Sequence, residues 1–245
     1  KFMVIVVFYH DEPERRNALL GYLAEEFPQI TSLFYIINPK KNDSLADQDP
    51  VLYKGEAWLT ERMEGLQFRI GPKSFYQTNT RQALKLYTIA REFAGLQGSE
   101  TVYDLYTGTG TIACFVAGKA GKVIGIDYVE ESVQDAIYNA AVNGIGNVRF
   151  FPGDIKSVLN EQFFTENGLP DVVITDPPRA GMDEKVVDAI INAGPEKIVY
   201  ISCNPSTQAR DIQILSRKYE VVRVQPVDMF PQTHHVENVV LLRKT

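Results

Sequence analysis

The chain alternates short apolar segments with amphipathic ones, and this pattern predicts its secondary structure. Apolar runs bounded by turn residues predict strands, whereas apolar positions three and four residues apart predict helices. In the first third of the chain, Pro13 stands where helices often begin. The pattern there predicts a strand, a helix, a second strand, an exposed polar loop and the two strands of a hairpin, at residues 1–9, 15–27, 32–38, 39–49, 58–59 and 66–70.

From about residue 80 the alternation becomes regular. The predicted helices cover residues 81–94, 111–117, 131–143, 184–192 and 207–215. The predicted strands cover residues 101–106, 122–127, 148–152, 171–175, 197–202, 219–226 and 237–243. Strands that alternate with helices predict an α/β fold with a parallel sheet covered on both faces. Ligands of such sheets bind at the carboxyl ends of the strands, so candidate chemistry is sought there.

The composition narrows the class of protein. Of the 245 residues, 44% are apolar and 23% are charged, as in globular proteins. No apolar stretch approaches about 18 residues, so no membrane span is expected. The two cysteines, Cys114 and Cys203, exclude a disulfide scaffold or a protein-only zinc site, and so few cysteines fit a reducing cytoplasm. With 25 basic and 31 acidic residues, the net charge of −6 argues against a broad basic surface for nucleic acid.

A glycine-rich turn follows the first strand of the regular alternation. Residues 104–110 read DLYTGTG, and such a turn lets a ligand approach the backbone N–H groups that open the next helix. Asp127 ends the next strand, where a carboxylate can accept hydrogen bonds from a ribose, and Asp154 follows the third strand, where it can face an adenine. The turn alone does not show which ligand it binds. It fits S-adenosylmethionine, or a nicotinamide dinucleotide, whose fingerprint residues 108–113 also match, or a turn that binds no ligand.

A proline pair follows a later strand and forms a second candidate site. Residues 175–179 read TDPPR, and the two prolines form a rigid bend that holds Asp176 and Arg179 at the edge of the sheet. A plain loop that ends the strand is the alternative. Methyltransferases that act on base amino groups carry an aromatic residue where Arg179 stands, which argues against that chemistry.

A thiol and a carboxylate complete the candidate chemistry. Cys203 lies between a strand and a helix, and the helix end is expected to lower its pKa from the usual value of about 8.5. Cys114 lies among apolar helix residues and is expected to be buried without a role. Glu237 begins the last strand and can act as a general base. His234 and His235 precede it, but neighbours in an extended segment point opposite ways, so no metal site is expected.

Taken together, five segments resemble the S-adenosylmethionine-dependent RNA uracil-5-methyltransferases. The resemblance runs from about residue 65 to residue 242, and its segments are residues 74–79, 104–110, 176–179, 202–205 with Arg210 and Asp211, and 230–237. It implies a class I methyltransferase, Rossmann-like sheet, mostly parallel with an antiparallel last strand, beside a smaller N-terminal α+β region. It further implies a central region at residues 1–79 and a catalytic domain at residues 80–245.

The resemblance also implies roles for individual residues. Cys203 would add to C6 of the uracil, and Glu237 would remove the C5 proton. Arg179 would hold the target nucleotide. Thr107 and Thr111 depart from the family, which often has Cys and Asn there. Contacts with S-adenosyl-L-methionine carry over to Gln77, Tyr106, Asp127, Asp154 and Asp176.

The partner implied by the resemblance is RNA. Residues 228–233 are closer to the ribosomal branch, so 23S rRNA is expected, with tRNA as the alternative. An abrupt first strand and an acidic charge are both explained if an RNA-binding module precedes Lys1 in a longer protein. We expect a cytoplasmic monomer with no membrane or protein partner. A base-amino methyltransferase, a non-catalytic RNA-binding factor and a dehydrogenase remain competing interpretations.

Overall fold

In the computed structural model, which describes residues 1–40 and 48–245, the N-terminal strands form a small mixed sheet. Strands β1 and β2 are parallel and joined by helix α1, and β3 pairs antiparallel with β2. The bounds are β1 Phe2–Phe8, α1 Pro13–Glu26, β2 Ile30–Ile37 and β3 Val51–Gly55. Strand β3 was not predicted, because all five of its residues are exposed and show no alternation of buried and exposed positions. Most of the predicted loop at residues 39–49 lies outside the described residues.

A second and larger sheet has seven strands and follows the predicted α/β pattern. Its strands are β6 Thr101–Leu105, β7 Lys122–Asp127, β8 Val148–Pro152, β9 Val172–Thr175, β10 Lys197–Ser202, β11 Tyr219–Val227 and β12 Glu237–Lys244. They lie in the order β11-β12-β10-β9-β6-β7-β8, and β6 to β10 are mutually parallel. Only β12 runs antiparallel to its neighbours β10 and β11 within this sheet. The predicted fold class is therefore confirmed.

Helices cover both faces of this sheet and enclose two apolar cores. They are α2 Thr80–Ala94, α3 Thr111–Ala117, α4 Glu130–Val142, α5 Ile155–Val158, α6 Glu161–Asn167, α7 Glu184–Ala193 and α8 Pro205–Leu215. Strand β10 is buried on both sides, with Val199 and Ile201 in one core and Ile198 and Tyr200 in the other. Such double burial is typical of a parallel sheet between helices.

The order of the strands fixes where ligands bind. From β6 the chain proceeds outward to β7 and β8, and then returns to the other side of β6 for β9 and β10. The carboxyl end of β6 is therefore the point where the strand order reverses, and ligands of such sheets bind in the crevice there. The glycine-rich turn begins at this position.

A two-stranded hairpin is attached to the larger sheet through α4. Its strands are β4 Leu59–Met63 and β5 Leu66–Ile70, which corrects the predicted first strand at residues 58–59. Asn143, which caps the end of α4, forms two hydrogen bonds with the backbone of Gln67, at 2.8 and 2.7 Å. Asn139 binds the backbone of Arg69 in the same way, at 2.7 and 3.2 Å. These two side-chain amides thus form, along β5, the kind of backbone hydrogen bonds that a neighbouring strand would form.

Two short helices and one helix start differ from the prediction. Helix α5 has four residues, too few for its periodicity to be recognised, and the seven-residue helix α6 was also not predicted. They begin at the capping side chains of Asp154 and Asn160. Helix α8 begins at Pro205, two residues before the predicted start, because proline suits the first turn and Asn204 caps it. None of the helices in the described residues is long and apolar enough to cross a membrane.

Candidate active site

Two positions of the glycine-rich turn between β6 and α3 have backbone angles that favour glycine. Gly108 and Gly110 have φ angles of 54° and 74°, in the left-handed region. A Cβ at Gly110 would lie 2.8 Å from the Cβ of Ala136 and from the Cζ of Phe150, so this glycine is required for packing. At Gly108 a Cβ would meet nothing within 4 Å, so this side of the turn is open to a ligand.

Asp127 fixes the turn from the end of β7. Its Oδ2 accepts a hydrogen bond from the Gly108 N–H, and its Oδ1 accepts one from the Val129 N–H, both at 2.9 Å. Each carboxylate oxygen can still accept a further bond. Burial raises the pKa of nearby Tyr106 to about 12, and the charges of Asp154 and Asp127 contribute to this shift. Three of the predicted cofactor residues therefore lie close together.

Asp154 is more exposed than Tyr106 and Asp127. Its carboxylate accepts from the Lys156 N–H at 3.3 Å, which begins α5, and its second oxygen lies 3.3 Å from the Lys156 ammonium. This charge is half-exposed and paired, so Asp154 is held in place without being desolvated.

Asp104, in the same turn, is a buried carboxylate that is not among the site residues predicted from the sequence. Its Oδ2 accepts from the Thr107 hydroxyl at 2.5 Å and from the Ala113 N–H at 3.0 Å. Its Oδ1 is buried and has no hydrogen-bond partner within the described part of the chain. Burial raises the pKa of Asp104 to about 7, against the lowering effect of those two bonds. An acidic residue that ends a strand before a glycine turn was the available signal.

Residues 74–79 connect the hairpin to the opposite side of the site. The Ser74 hydroxyl donates to Asp135 of α4 at 2.6 Å, and the Asn79 amide donates to the Met229 carbonyl at 2.8 Å. Gln77, which lies between Ser74 and Asn79 in the chain, is buried. Phe75 is 71% exposed, an unusual position for an aromatic ring, and it was also not singled out from the sequence.

Cys203 and Glu237 are brought together by the pairing of β10 with β12. Ser202, the last residue of β10, pairs with Asn238. Cys203 and Glu237 are the next residues on these two antiparallel strands, so they are neighbours at the edge of the sheet. Glu237 is buried and Cys203 is half-buried.

The pKa of Cys203 is raised, contrary to the sequence-based expectation. Burial raises it first, and the negative charges of Glu237 and Asp176 raise it further. The positive charge of the Arg179 guanidinium opposes them and lowers the pKa of the thiol. Helix α8 begins only two residues later, but its positive end is outweighed by burial and the two carboxylates.

Asp176 and Arg179 occupy the loop after β9, as predicted. Burial and the charges of Glu237 and Asp104 raise the pKa of Asp176 well above its ordinary value. Burial also raises the pKa of Glu237, and Arg179 opposes that shift as it does for the thiol. The charge of Arg179 therefore lowers the pKa of both Cys203 and Glu237, whereas the family resemblance implies only a contact with the target nucleotide.

The adjacent histidines do not point in opposite directions. The ring centroids of His234 and His235 are 4.1 Å apart, because this segment is a turn rather than an extended strand. The Thr233 N–H bonds the Phe230 carbonyl at 3.1 Å. His235 Nδ1 lies 3.4 Å from the Arg179 guanidinium. Among residues 1–40 and 48–245, no group of three or more His, Cys, Asp and Glu side chains is arranged to hold a metal ion.

Two solved structures with this fold are methyltransferases. The tRNA (uracil-54, C5)-methyltransferase of Pyrococcus abyssi, in complex with S-adenosyl-L-homocysteine, has a TM-score of 0.78 and 30% identity, covering 98% of this chain and 56% of that chain. The tRNA m1G37 methyltransferase of M. jannaschii has a TM-score of 0.65 at 12% identity, covering 100% and 74%, a likeness of fold alone. The fold is therefore that of the class I methyltransferases.

Sequence comparison identifies the family. The model of the tRNA (uracil-5-)-methyltransferase family matches residues 53–245, and the chain belongs to this family, as the resemblance predicted. A protein of Porphyromonas gingivalis described as an uncharacterized RNA methyltransferase is 61% identical over 244 residues, and one of Bacteroides thetaiotaomicron is 59% identical over 245 residues. This chain is covered to 99% in both matches and spans 52% and 54% of those proteins, about half their length.

Proposed function

We propose that this chain transfers a methyl group from S-adenosyl-L-methionine to C5 of a uridine in RNA. The observation that carries the proposal is the neighbouring position of Cys203 and Glu237 at the ends of β10 and β12. The positive charge of Arg179 favours the thiolate, and the glycine-rich turn opens at the same edge of the sheet. A nucleophile, a base and a nucleotide-binding turn at one edge suit methyl transfer to a pyrimidine carbon.

The polar groups of the turn fit this cofactor. S-adenosylmethionine presents an ammonium, a ribose diol and an adenine amine, all of which donate hydrogen bonds, and it carries a positive sulfonium. The site offers acceptors of matching chemistry, including the unpartnered Oδ1 of Asp104 and the remaining acceptor capacity of Asp127. Asp154 would hold the adenine amine, and Gln77, Tyr106 and Asp176 would line the rest of the site. A nicotinamide dinucleotide, with its anionic pyrophosphate, suits these carboxylates less well.

In the proposed mechanism Cys203 is the nucleophile. Its thiol releases its proton to solvent, which the positive charge of Arg179 favours, and the thiolate forms a bond to C6 of the uracil. The electron pair of the C5–C6 double bond moves toward the C4 carbonyl, which makes C5 nucleophilic. When bound, S-adenosylmethionine supplies the methyl group that C5 takes up. Glu237 then accepts the C5 proton, the C6–S bond breaks, and Cys203 leaves as a thiolate. A raised pKa suits Glu237 to this task, because it makes the carboxylate a stronger base.

Two RNA classes are proposed as substrates. Residues 228–233 resemble the ribosomal branch and favour a uridine of 23S rRNA. The Pyrococcus abyssi structure is that of a tRNA enzyme and supports tRNA as the second candidate. Mapping of 5-methyluridine by mass spectrometry, in rRNA and tRNA from a strain that lacks the gene, distinguishes them by which site loses its methyl group.

A trapped adduct tests the proposed nucleophile. RNA that contains 5-fluorouridine, supplied with S-adenosylmethionine, is expected to remain bound to Cys203, because fluorine at C5 cannot leave as a proton. Cys203→Ala should form no adduct, whereas Cys114→Ala, a change inside a buried helix, should form it as the wild type does. An adduct on another residue would contradict the assignment.

A further inference from the structure

Two side chains that follow Cys203 in the chain hold the backbone of Arg179. The Asn204 amide donates to the Arg179 carbonyl at 3.0 Å. The Thr207 hydroxyl lies 3.1 Å from the same carbonyl and 3.1 Å from the Asn204 carbonyl, so its proton bridges the two. Asn204 caps the start of α8 and Thr207 lies in its first turn, and this helix begins two residues after the nucleophile.

Residues 180–182, which continue the loop after Arg179, are held by Arg210 and Asp211 of α8. Asp211 is only 1% exposed, and its Oδ2 accepts from the Met182 N–H at 2.8 Å and from the Tyr200 hydroxyl at 2.6 Å. Arg210 donates to the Ala180 carbonyl at 2.9 Å. A Cβ at Gly181 would lie 2.6 Å from Asp211 Oδ2, so the loop lies directly against α8. The loop therefore has little freedom to move away from the nucleophile.

The position of Arg179 matters because the other groups around the thiol disfavour its ionised form. Burial and the charges of Glu237 and Asp176 all disfavour the thiolate, and Arg179 is the charge that favours it. His235, beside the guanidinium, completes the titratable groups near this contact. A small displacement of the guanidinium would leave the thiolate beside two carboxylates without compensation.

We infer that Thr207 and Asn204 are positioning residues for the nucleophile: they hold the Arg179 carbonyl so that the guanidinium stays near the Cys203 thiol. The contacts lead from Asn204, next to Cys203, to the backbone of Arg179, and the guanidinium lies 3.4 Å from His235 Nδ1, two residues before Glu237. The meaning of these contacts for methyl transfer rests on the proposed function, but their effect on the thiol does not.

Alkylation of Cys203 by iodoacetamide measures this effect without RNA or cofactor. The rate is followed as a function of pH, and the modified peptide is identified by mass spectrometry so that Cys114 is counted separately. Thr207→Val, which removes the hydroxyl at nearly constant size, should slow alkylation roughly three- to tenfold at neutral pH and displace the profile to higher pH. Thr207→Ser should restore the wild-type profile, and Ser206→Ala, an exposed neighbour, should not change it.

A double-mutant cycle shows whether Thr207 acts through Arg179. In an Arg179→Met background, Thr207→Val should cause no further loss of rate. Additive losses, or a Thr207→Val profile equal to the wild type, would overturn the inference. If Thr207→Val melts at a clearly lower temperature, Asn204→Ser replaces it, because serine keeps the helix cap and removes the amide donor. A wild-type profile for that variant also overturns the inference.

The outcomes separate this inference from the proposed function. If no RNA is methylated but the alkylation rates follow the expected order, the proposed function fails and the positioning role stands. If RNA is methylated at C5 and the alkylation rates do not depend on Thr207 or Asn204, the positioning role fails alone.

Discussion

Cys203 and Glu237 lie side by side because Ser202 of β10 pairs with Asn238 of the antiparallel strand β12. The reversed direction of β12 is essential to this arrangement. A parallel last strand would bring its carboxyl end to this edge of the sheet, whereas the antiparallel strand brings its first residue, Glu237, to the residue that follows β10. One reversal of strand direction thus places the proposed base beside the proposed nucleophile.

Removal of the Glu237 carboxylate should separate adduct formation from product release. Glu237→Gln keeps the size of the side chain but cannot accept the C5 proton, so the covalent complex with ordinary RNA should accumulate and turnover should fall at least about 100-fold. Denaturing electrophoresis of the protein with labelled RNA measures the complex. Glu220→Gln, an exposed change on β11, serves as the control. Normal turnover by Glu237→Gln would contradict the assignment of the base.

The rate of methyl transfer should increase with pH. The mechanism needs Cys203 as a thiolate and Glu237 as a carboxylate, and burial is the largest cause that raises the pKa of each group. Both groups become protonated as pH falls, so the single-turnover rate should climb through the neutral and mildly alkaline range. Arg179→Met should displace this rise to higher pH. A rate that is highest in acid would be inconsistent with these two roles.

Asp104 should make the folded protein less stable as pH rises toward neutrality. Burial raises its pKa from 3.8 to about 7. Between these values the carboxyl is ionised in the unfolded chain but protonated in the folded protein, so the free energy of unfolding falls as pH rises. The loss is on the order of 4 kcal/mol, since one pKa unit corresponds to about 1.4 kcal/mol.

The variant Asp104→Asn isolates this contribution. Urea unfolding at several pH values should show a flatter pH dependence for the variant than for the wild type over the acidic range. The same variant should bind S-adenosylhomocysteine about tenfold more weakly in calorimetry, because an acceptor for the ammonium is lost. Asp188→Asn, at a half-exposed carboxylate of α7 that pairs with Arg217 at the surface, should change neither quantity. Equal slopes for Asp104→Asn and the wild type would refute the buried titration.

Ser74 is expected to matter for cofactor affinity more than for stability. Ser74→Ala removes its bond to Asp135, which costs about 1 kcal/mol, while Arg69 remains paired with that carboxylate at 2.8 Å. The segment that carries Gln77 then loses one of its two attachments. The dissociation constant for S-adenosylhomocysteine should rise severalfold, and Thr78→Ala, an exposed neighbour, should leave it unchanged. An unaltered constant in Ser74→Ala would show that this attachment does not support the cofactor site.

The sequence predicted the larger sheet well because its elements are long and periodic. Strands such as Lys197–Ser202 carry continuous apolar runs, and their alternation with helices determines the fold class. It could not predict β3, whose exposed residues show no pattern, or the four-residue helix α5. The pairing of β12 with β10 was available only through the family resemblance, because periodicity does not show which strands become neighbours.

The sequence indicated which residues meet at this edge of the sheet but not how their charges act on one another. The candidate residues Cys203 and Glu237 are neighbours in the fold, yet the expected direction of the thiol's pKa was wrong. Local sequence shows only the nearby helix end, whereas the decisive charges come from Asp176 and Glu237, which are distant in sequence and adjacent in the fold. The effect of the Arg179 charge on the thiol was missed for the same reason.

The most direct test of the account is to identify the methylated product and its dependence on Cys203. The purified protein is incubated with RNA and S-adenosylmethionine that carries an isotopically labelled methyl group, and the nucleosides are analysed by mass spectrometry. The account predicts label in 5-methyluridine with the wild type and none with Cys203→Ala. Label in an N-methylated base, or 5-methyluridine formed by Cys203→Ala, would contradict it.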